Sequence, residues 1–484
     1  MFRPSSGAVR LWATRLGDGM VAMDRGTMRG AGARAAPSER DGLPLPRRRL
    51  AWATIILGLT LAVLDGTIAN VALPTIAQEF SAPAATSIWI VNGYQLAIVM
   101  ALLPLSALGE IFGYRRVYLL GIALFTLASL GCVLAGGLTT LTIARIVQGL
   151  GSAGLMSVNA AVLRYTVPKA KFGAAIGINA LVVAAASTAG PAIAGFALSA
   201  VSWRWLFAIN LPLGVLVVAL GWRSLPDSDR ASDRFDWIDA VLSAMGFGLV
   251  VTIIDSFGHD ISWAVVLPQV VACVAALVLL VARSRRVARP MLPLDLLRLP
   301  VFSLSIGTSV ASFAAQMLAF VSLPFTFQVL YGFPPAEVGL LMMPWPFAVA
   351  VVAPIAGKLA DTRSPAVLGG VGLILLSAGL MLMGVLPAHP AQWDIAWRMA
   401  LCGLGFGLFQ SPNNRTMISA ASKERSGAAS GMLSVARLMG QSIGAALVAL
   451  LLAQLGMAGA TAAQFVGAGF AAVAAVVSLT RLAY

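Results

Sequence analysis

Apolar runs of about twenty residues, separated by short polar gaps, recur along the chain from about residue 50 onward. At about 1.5 Å of rise per residue, each run is long enough to cross the hydrocarbon core of a bilayer as an α-helix. In order they fall at about 50–72, 86–108, 116–136, 139–163, 173–200, 205–222, 238–256, 263–282, 302–329, 337–360, 366–386, 395–419, 428–453 and 461–480. This pattern predicts fourteen spans, an all-α polytopic membrane protein.

The gaps test that count, because consecutive loops must lie on alternate sides of the membrane. One set of loops carries Arg47–Arg49, Arg115 and Arg116, Lys169 and Lys171, Arg223, Arg230 and Arg234, Arg283, Arg285, Arg286 and Arg289, Lys358 and Arg363, and Lys423 and Arg425. The other set, near Ser81, Gly137, His259, Pro334, Pro387 and Gly459, lacks Lys and Arg, with Arg204 as its main exception. Basic loops stay in the cytoplasm, so the expectation is a multi-pass plasma-membrane protein of the bacterial inner membrane with both termini inside.

Composition agrees: 59% of the 484 residues are hydrophobic and 11% charged, and the mean hydropathy is +0.88. The net charge of +14 follows from the loop asymmetry and not from a nucleic-acid-binding face. Cys132, Cys273 and Cys402 lie inside apolar runs, and the two histidines, His259 and His389, lie in polar gaps, so no metal site or cofactor is expected. Residues 1–49 read as a disordered basic leader. The longest later polar connections follow the sixth and eighth runs. They divide the chain into an N-terminal six-helix bundle (50–225), two inserted linker helices (226–290) and a C-terminal six-helix bundle (291–484). Two such halves predict a carrier with its binding site between them near the midplane.

Asp65 is the costliest residue in this pattern, a carboxylate inside the first run. Arg145 is its cationic counterpart in the fourth. A carboxylate that alternates between burial and contact with water or a cation changes its proton affinity, which is what a proton-coupled carrier requires. Asn92, Tyr94, Gln95, Asn159, Gln316, Gln328 and Asn413 are polar groups within spans and candidates for a substrate cavity. Gly190, Pro191 and Gly195 give the fifth span small, kinked packing. Acid–base clusters follow the second helix of each half, Glu110, Gly113 and Arg115 in one and Asp361 and Arg363 in the other, where they can brace one conformation. No phosphate loop, metalloprotease motif or nucleophile elbow is present, so neither ATP hydrolysis nor another enzyme activity is expected.

These residues resemble the major facilitator superfamily, and specifically its fourteen-span drug:proton antiporter branch. Leu64 through Pro74 is similar to that branch's first-helix signature, and Arg145, Gln148, Gly149 and Gly151 match its fourth-helix motif. Gly190, Pro191 and Gly195 match its antiporter motif, with Ala186 and Ala194 standing where glycine is usual. Trp203 through Asn210 also looks like the branch. The motif around Gly113 and Arg115 departs, since Glu110 replaces Asp, Ser106 replaces Gly, and Ile111 and Tyr114 replace basic residues. The resemblance implies the major facilitator fold and a monomer that exports lipophilic or cationic drugs in exchange for protons, with Asp65 and Arg145 in the coupling. The alternatives are a dedicated exporter of one metabolite and a non-transporting membrane receptor of the same fold.

Overall fold

The computed structural model of the chain describes residues 42–230, 235–258, 263–285, 294–421 and 426–483. Fourteen long helices run through them: α1 (Leu45–Glu79), α2 (Trp89–Phe112), α3 (Tyr114–Val133), α4 (Leu138–Thr166), α5 (Phe172–Ala200), α6 (Asn210–Ser224), α7 (Trp237–Gly258), α8 (Trp263–Ser284), α9 (Pro300–Phe325), α10 (Pro344–Leu359), α11 (Pro365–Gly384), α12 (Gln392–Ala420), α13 (Ser426–Leu455) and α14 (Ala458–Thr480). Short helical turns lead into α2 (Ala84–Ser87), α6 (Arg204–Ala208) and α10 (Pro335–Met342). Among the described residues, thirteen stretches are long and apolar enough to cross a membrane. The remaining helix, α12, has the length at 29 residues, but Asp394, Arg398, Asn413, Asn414 and Arg415 dilute its apolar character.

The first helix begins earlier than the apolar pattern indicates. Pro46 lies in its first turn, where the ring's fixed φ suits helix initiation. Arg47–Arg49 are therefore helical and not part of an irregular leader, and Arg47 donates to the carbonyls of Ser224 and Leu225 at the end of α6. The leader's first 41 residues, His259, Arg234, Arg286, Arg289, Lys423 and Arg425 lie outside the described residues.

Packing repeats with a shift of eight helices. In the first six, α3 packs on α4, α2 on α4, α1 on α5 and α6, and α3 on α6; in the last six, α11 packs on α12, α10 on α12, α9 on α13 and α14, and α11 on α14. Close backbone approaches repeat as well. A Cβ on Gly149 of α4 would strike the Tyr94 carbonyl of α2, and one on Gly403 of α12 would strike the Trp345 carbonyl of α10. Two residues on, Gly151 meets Gly121 of α3 as Gly405 meets Gly372 of α11. The inserted α7 and α8 pair with each other, and α7 lies against both α2 and α13.

Alternation of the helices gives the molecule a basic end, with Arg47, Arg115, Lys358, Arg415 and Arg481, and an opposite end, with Glu79, Gly137, Pro335 and Pro387. The two six-helix sets meet toward the opposite end. There Gln328, in the wide turn that ends α9, donates to the Val71 carbonyl at 2.9 Å and accepts from Thr75. Gln95 of α2 donates to Met317 of α9. On α9, steps of three, four and seven residues keep Val321, Met317, Val310, Gly307 and Ser303 on one face. Val321 and Met317 are buried, Val310 is half-buried, and Gly307 is exposed with nothing within 4 Å of where a Cβ would sit. On the Arg145 face of α4, burial likewise falls away from Ser152 through Met156 to exposed Ala160. The sets thus part toward the basic end and leave a cleft there.

Candidate functional site

Asp65 lies well inside α1, and three donors converge on its carboxylate. Arg145 of α4 donates through Nη1 to Oδ2. Gln148, one turn along α4, donates to Oδ1 at 2.9 Å, and Asn210, the first residue of α6, donates to the same oxygen at 2.8 Å. The spacing of three residues puts Arg145 and Gln148 on one helix face, where the Gln148 carbonyl also accepts from Arg145. Arg145 donates through Nε to the Ile90 carbonyl of α2, and its guanidinium stacks 4.1 Å from the Tyr94 ring centroid and 5.4 Å from that of Phe207. The Tyr94 hydroxyl donates to Ser152. Ser129 of α3 accepts from Gln148 at 2.8 Å and from Asn210 at 3.4 Å. Arg145 is 0% exposed and Asp65 3%.

This site suits a carboxylate, because each oxygen accepts from fixed donors and one of the donors is a cation. Removing either partner of such a buried pair leaves a charge without compensation, at a cost of about 3–5 kcal/mol. The repeat shows that the fold itself does not demand the pair. Counting from the matched Gly149–Gly403 and Tyr94–Trp345 contacts, the positions of Arg145, Gln148 and Tyr94 correspond in the second set to Met399, Cys402 and Trp345, all buried. The ionic site therefore belongs to one half.

The α5 motif connects that site to the other half. A Cβ on Gly190 would overlap Thr67 Oγ1, two residues past Asp65 on α1. A Cβ on Gly195, further along α5, would strike the Pro335 carbonyl and come within 3.0 Å of the Gly339 Cα, and one on Gly339 would strike the Pro191 carbonyl. Gly190, Pro191 and Gly195 thus form a strip packed against the Thr67 side chain of the Asp65 helix on one side and the backbone at the entrance of α10 on the other.

The cavity candidates do not gather at one point. Tyr94 belongs to the Arg145 cluster, Gln95 and Gln328 bridge the halves, and Asn413 of α12 hydrogen-bonds Ser309 and Arg481 near the basic end. The carbonyl oxygens of Asn92 and Asn159 are buried without a partner, and Gln316 is half-buried. The basic-end pairs also differ from the expected ones. Arg115 pairs with Asp227 at 3.0 Å and also donates to the Trp222 carbonyl, so it ties the start of α3 to the end of α6. Asp361 pairs with Arg415 of α12 rather than with Arg363. Gly113 alone separates α2 from α3, at φ +98°, which side-chain-bearing residues rarely adopt. At the opposite end Arg204 pairs with Glu79 at 2.6 Å, which gives the loop exception a counter-charge.

Reading the sequence missed Ser129 as a partner and gave Asn210 no role. Nothing in the sequence separates Ser129 from the other serines within spans, and Asn210 meets Asp65 only through packing across 145 residues. It also missed Arg437 in α13, although a lone cation in an apolar span is the signal that exposed Arg145.

Comparison with known proteins places the chain. The family profile described as Major Facilitator Superfamily matches residues 55–445 and 309–483. The chain is 51% identical over 446 residues to the uncharacterized transporter YebQ of Escherichia coli (strain K12), covering 92% of this chain and 98% of that one. It is 34% identical over 402 residues to the multidrug resistance protein Stp of Mycobacterium tuberculosis (strain CDC 1551 / Oshkosh), covering 82% and 74% respectively. A bacterial homologue of the human lysosomal transporter Spinster shares the fold, with a TM-score of 0.65 at 16% identity over 90% of this chain and 97% of that one. Sequence and fold agree, and the chain belongs to the Major Facilitator Superfamily.

Proposed function

We propose that this transporter exports lipophilic compounds in exchange for protons, with Asp65 as the proton carrier and Arg145 as the group that competes with the proton. The observation that carries this reading is the Asp65–Arg145 pair, buried without solvent in one half of a two-half carrier. The multidrug resistance protein among its relatives supports a drug-like substrate.

In this reading the units that move are the bundles of residues 50–225 and 291–484, joined by the inserted pair, within a monomer in the bacterial inner membrane. The basic end is cytoplasmic. The described conformation faces the cytoplasm and has released its proton: Arg145, Gln148 and Asn210 hold the carboxylate, and the cleft is open to substrate. Rocking about the Gly195–Gly339 seam opens the outer side. A proton arriving from outside binds a carboxylate oxygen of Asp65 and displaces Arg145, and the compound leaves. On return the proton departs to the cytoplasm and the ion pair re-forms. The contact of Gly190 with Thr67 gives α5 a direct path from Asp65 to the seam. Substrate and proton compete because each favours a different arrangement of one bistable element.

Inverted membrane vesicles test the reading. A lipophilic dye should accumulate in them when their interior is made acidic, and accumulation should stop when a protonophore collapses the gradient. Accumulation that persists without the gradient would overturn proton-driven export.

A further inference from the structure

Arg437 is the second cation deep in a span, and the Asp65 site makes no use of it. It lies eleven residues into α13 from Ser426, about 16 Å along the helix. Its Nε is buried without a hydrogen-bond partner, and no ion pair or hydrogen bond involves the side chain among the described residues. Arg145 differs in having a carboxylate, a carbonyl and two aromatic rings. A guanidinium held this deep in a span without a partner is costly, and among the described residues no acid pairs with it. Among the described residues Asp65 is the one acid at mid-span, and it is committed to Arg145.

The position of Arg437 follows from the contacts around it. Gly440 and Gly444 of α13 lie against the Val310 and Ala314 carbonyls of α9, and the two helices run in the same direction. One turn before Gly440, Arg437 is therefore level with Gly307 and Val310, where the α9 face opens into the cleft. The other side of α13 carries Val435 and Leu438, which pack into the core of the first six helices with Ile98 and Leu102. Arg437, Ser434 and Gln441 share the edge between these two faces, and all three are half-buried. Side chains on a helix lean toward its N-terminus, so the guanidinium points toward the open, basic end.

We infer that Arg437 is an anion-recognition group in the cleft, and that the transported lipophile carries an acidic group, a carboxylate or its equivalent, which pairs with it. This rests on the exporter reading above and specifies its substrate class. A cationic compound would meet an uncompensated positive charge in a region of low dielectric, whereas an anion would supply the counter-charge that the fold withholds. The unpaired guanidinium in the cytoplasm-facing state then acts as a selectivity filter separate from the proton site.

Three pyrene probes of matched shape test this: 1-pyrenebutyrate, its methyl ester and the corresponding trimethylammonium cation. Binding to the full-length protein in nanodiscs of neutral phosphatidylcholine is followed by energy transfer from tryptophan. The wild type should bind the carboxylate about tenfold or more tightly than the ester or the cation, and Arg437→Gln should erase that preference. Arg437→Lys should retain part of it. Gly307→Glu, which places a carboxylate in the open space level with Arg437, should also erase it and serves if Arg437→Gln does not fold. Binding is measured without a pH gradient, whereas the vesicle assay above reads gradient-driven uptake, so loss of proton coupling and loss of anion recognition are distinguishable. Equal binding of the three probes by the wild type, or an unchanged preference in both Arg437→Gln and Gly307→Glu, would overturn the inference. So would competition by added phosphatidylglycerol that depends on Arg437, since that would make a lipid headgroup the occupant.

Discussion

Asp65 and Arg145 supply each other's counter-charge at a depth where an unpaired charge is costly. The cost of orphaning one of them gives a thermodynamic cycle. Arg145→Leu should destabilise the protein by about 3–5 kcal/mol in thermal unfolding, because Asp65 then lacks its cation. Adding Asp65→Asn to that variant should recover a substantial part of the loss, since neither charge remains buried alone. Additive losses would show that the two side chains do not act as a pair. Both residues were legible in the sequence because a charge in an apolar span violates the local pattern. Asn210 and Ser129 were not, since a neutral polar side chain fits a helix interior without conflict and takes on meaning only when α6 and α3 pack around α1.

Two elements translate these residues into architecture. The first is the seam where Gly195 meets Gly339, which admits no side chain. Gly195→Val should keep the outer side from closing: a cysteine at Gln328 should become reactive to a membrane-impermeant thiol reagent from outside, and transport should fall at least tenfold. Unchanged reactivity and transport would show that the seam is slack. The second is the clamp at the base of the inserted hairpin. Asp236 accepts from the backbone amides of Ile238 and Asp239 at the start of α7, and Arg283 of α8 pairs with both Asp236 and Asp239. Partial burial opposes ionisation of Asp236, but the Asp239 amide, Arg283 and the Ile238 amide outweigh it and hold its carboxyl below the usual carboxylate range. A depressed pKa contributes stability that is present above the ordinary value and is lost as pH falls through the lowered one. Hydrogen exchange at the first turn of α7 should therefore quicken only at acid pH, and Arg283→Ala should move that onset upward. An onset that stays in place would assign the capping to the backbone amides alone. The motif spacing pointed to acid–base pairs at helix ends without indicating their partners: Asp361 pairs across to Arg415 on α12, not along the chain to Arg363.

For the molecule as a whole, the loop charges and run lengths carried most of the architecture, because the bilayer constrains length and side more tightly than water does. The division into six, two and six helices already implied the eight-helix shift, but the way the second set replaces Arg145, Gln148 and Tyr94 with Met399, Cys402 and Trp345 emerged only from matched glycine contacts. One half carries the charge and the other supplies an apolar counterpart together with the lone Arg437. An account built on that asymmetry stands or falls on Asp65. The most direct measurement compares wild type with Asp65→Asn in proteoliposomes, by uphill transport under a pH gradient and by substrate counterflow without one. The account predicts that the variant loses uphill transport while counterflow continues, since the cleft and seam remain. Uphill transport at the wild-type rate in Asp65→Asn would contradict it.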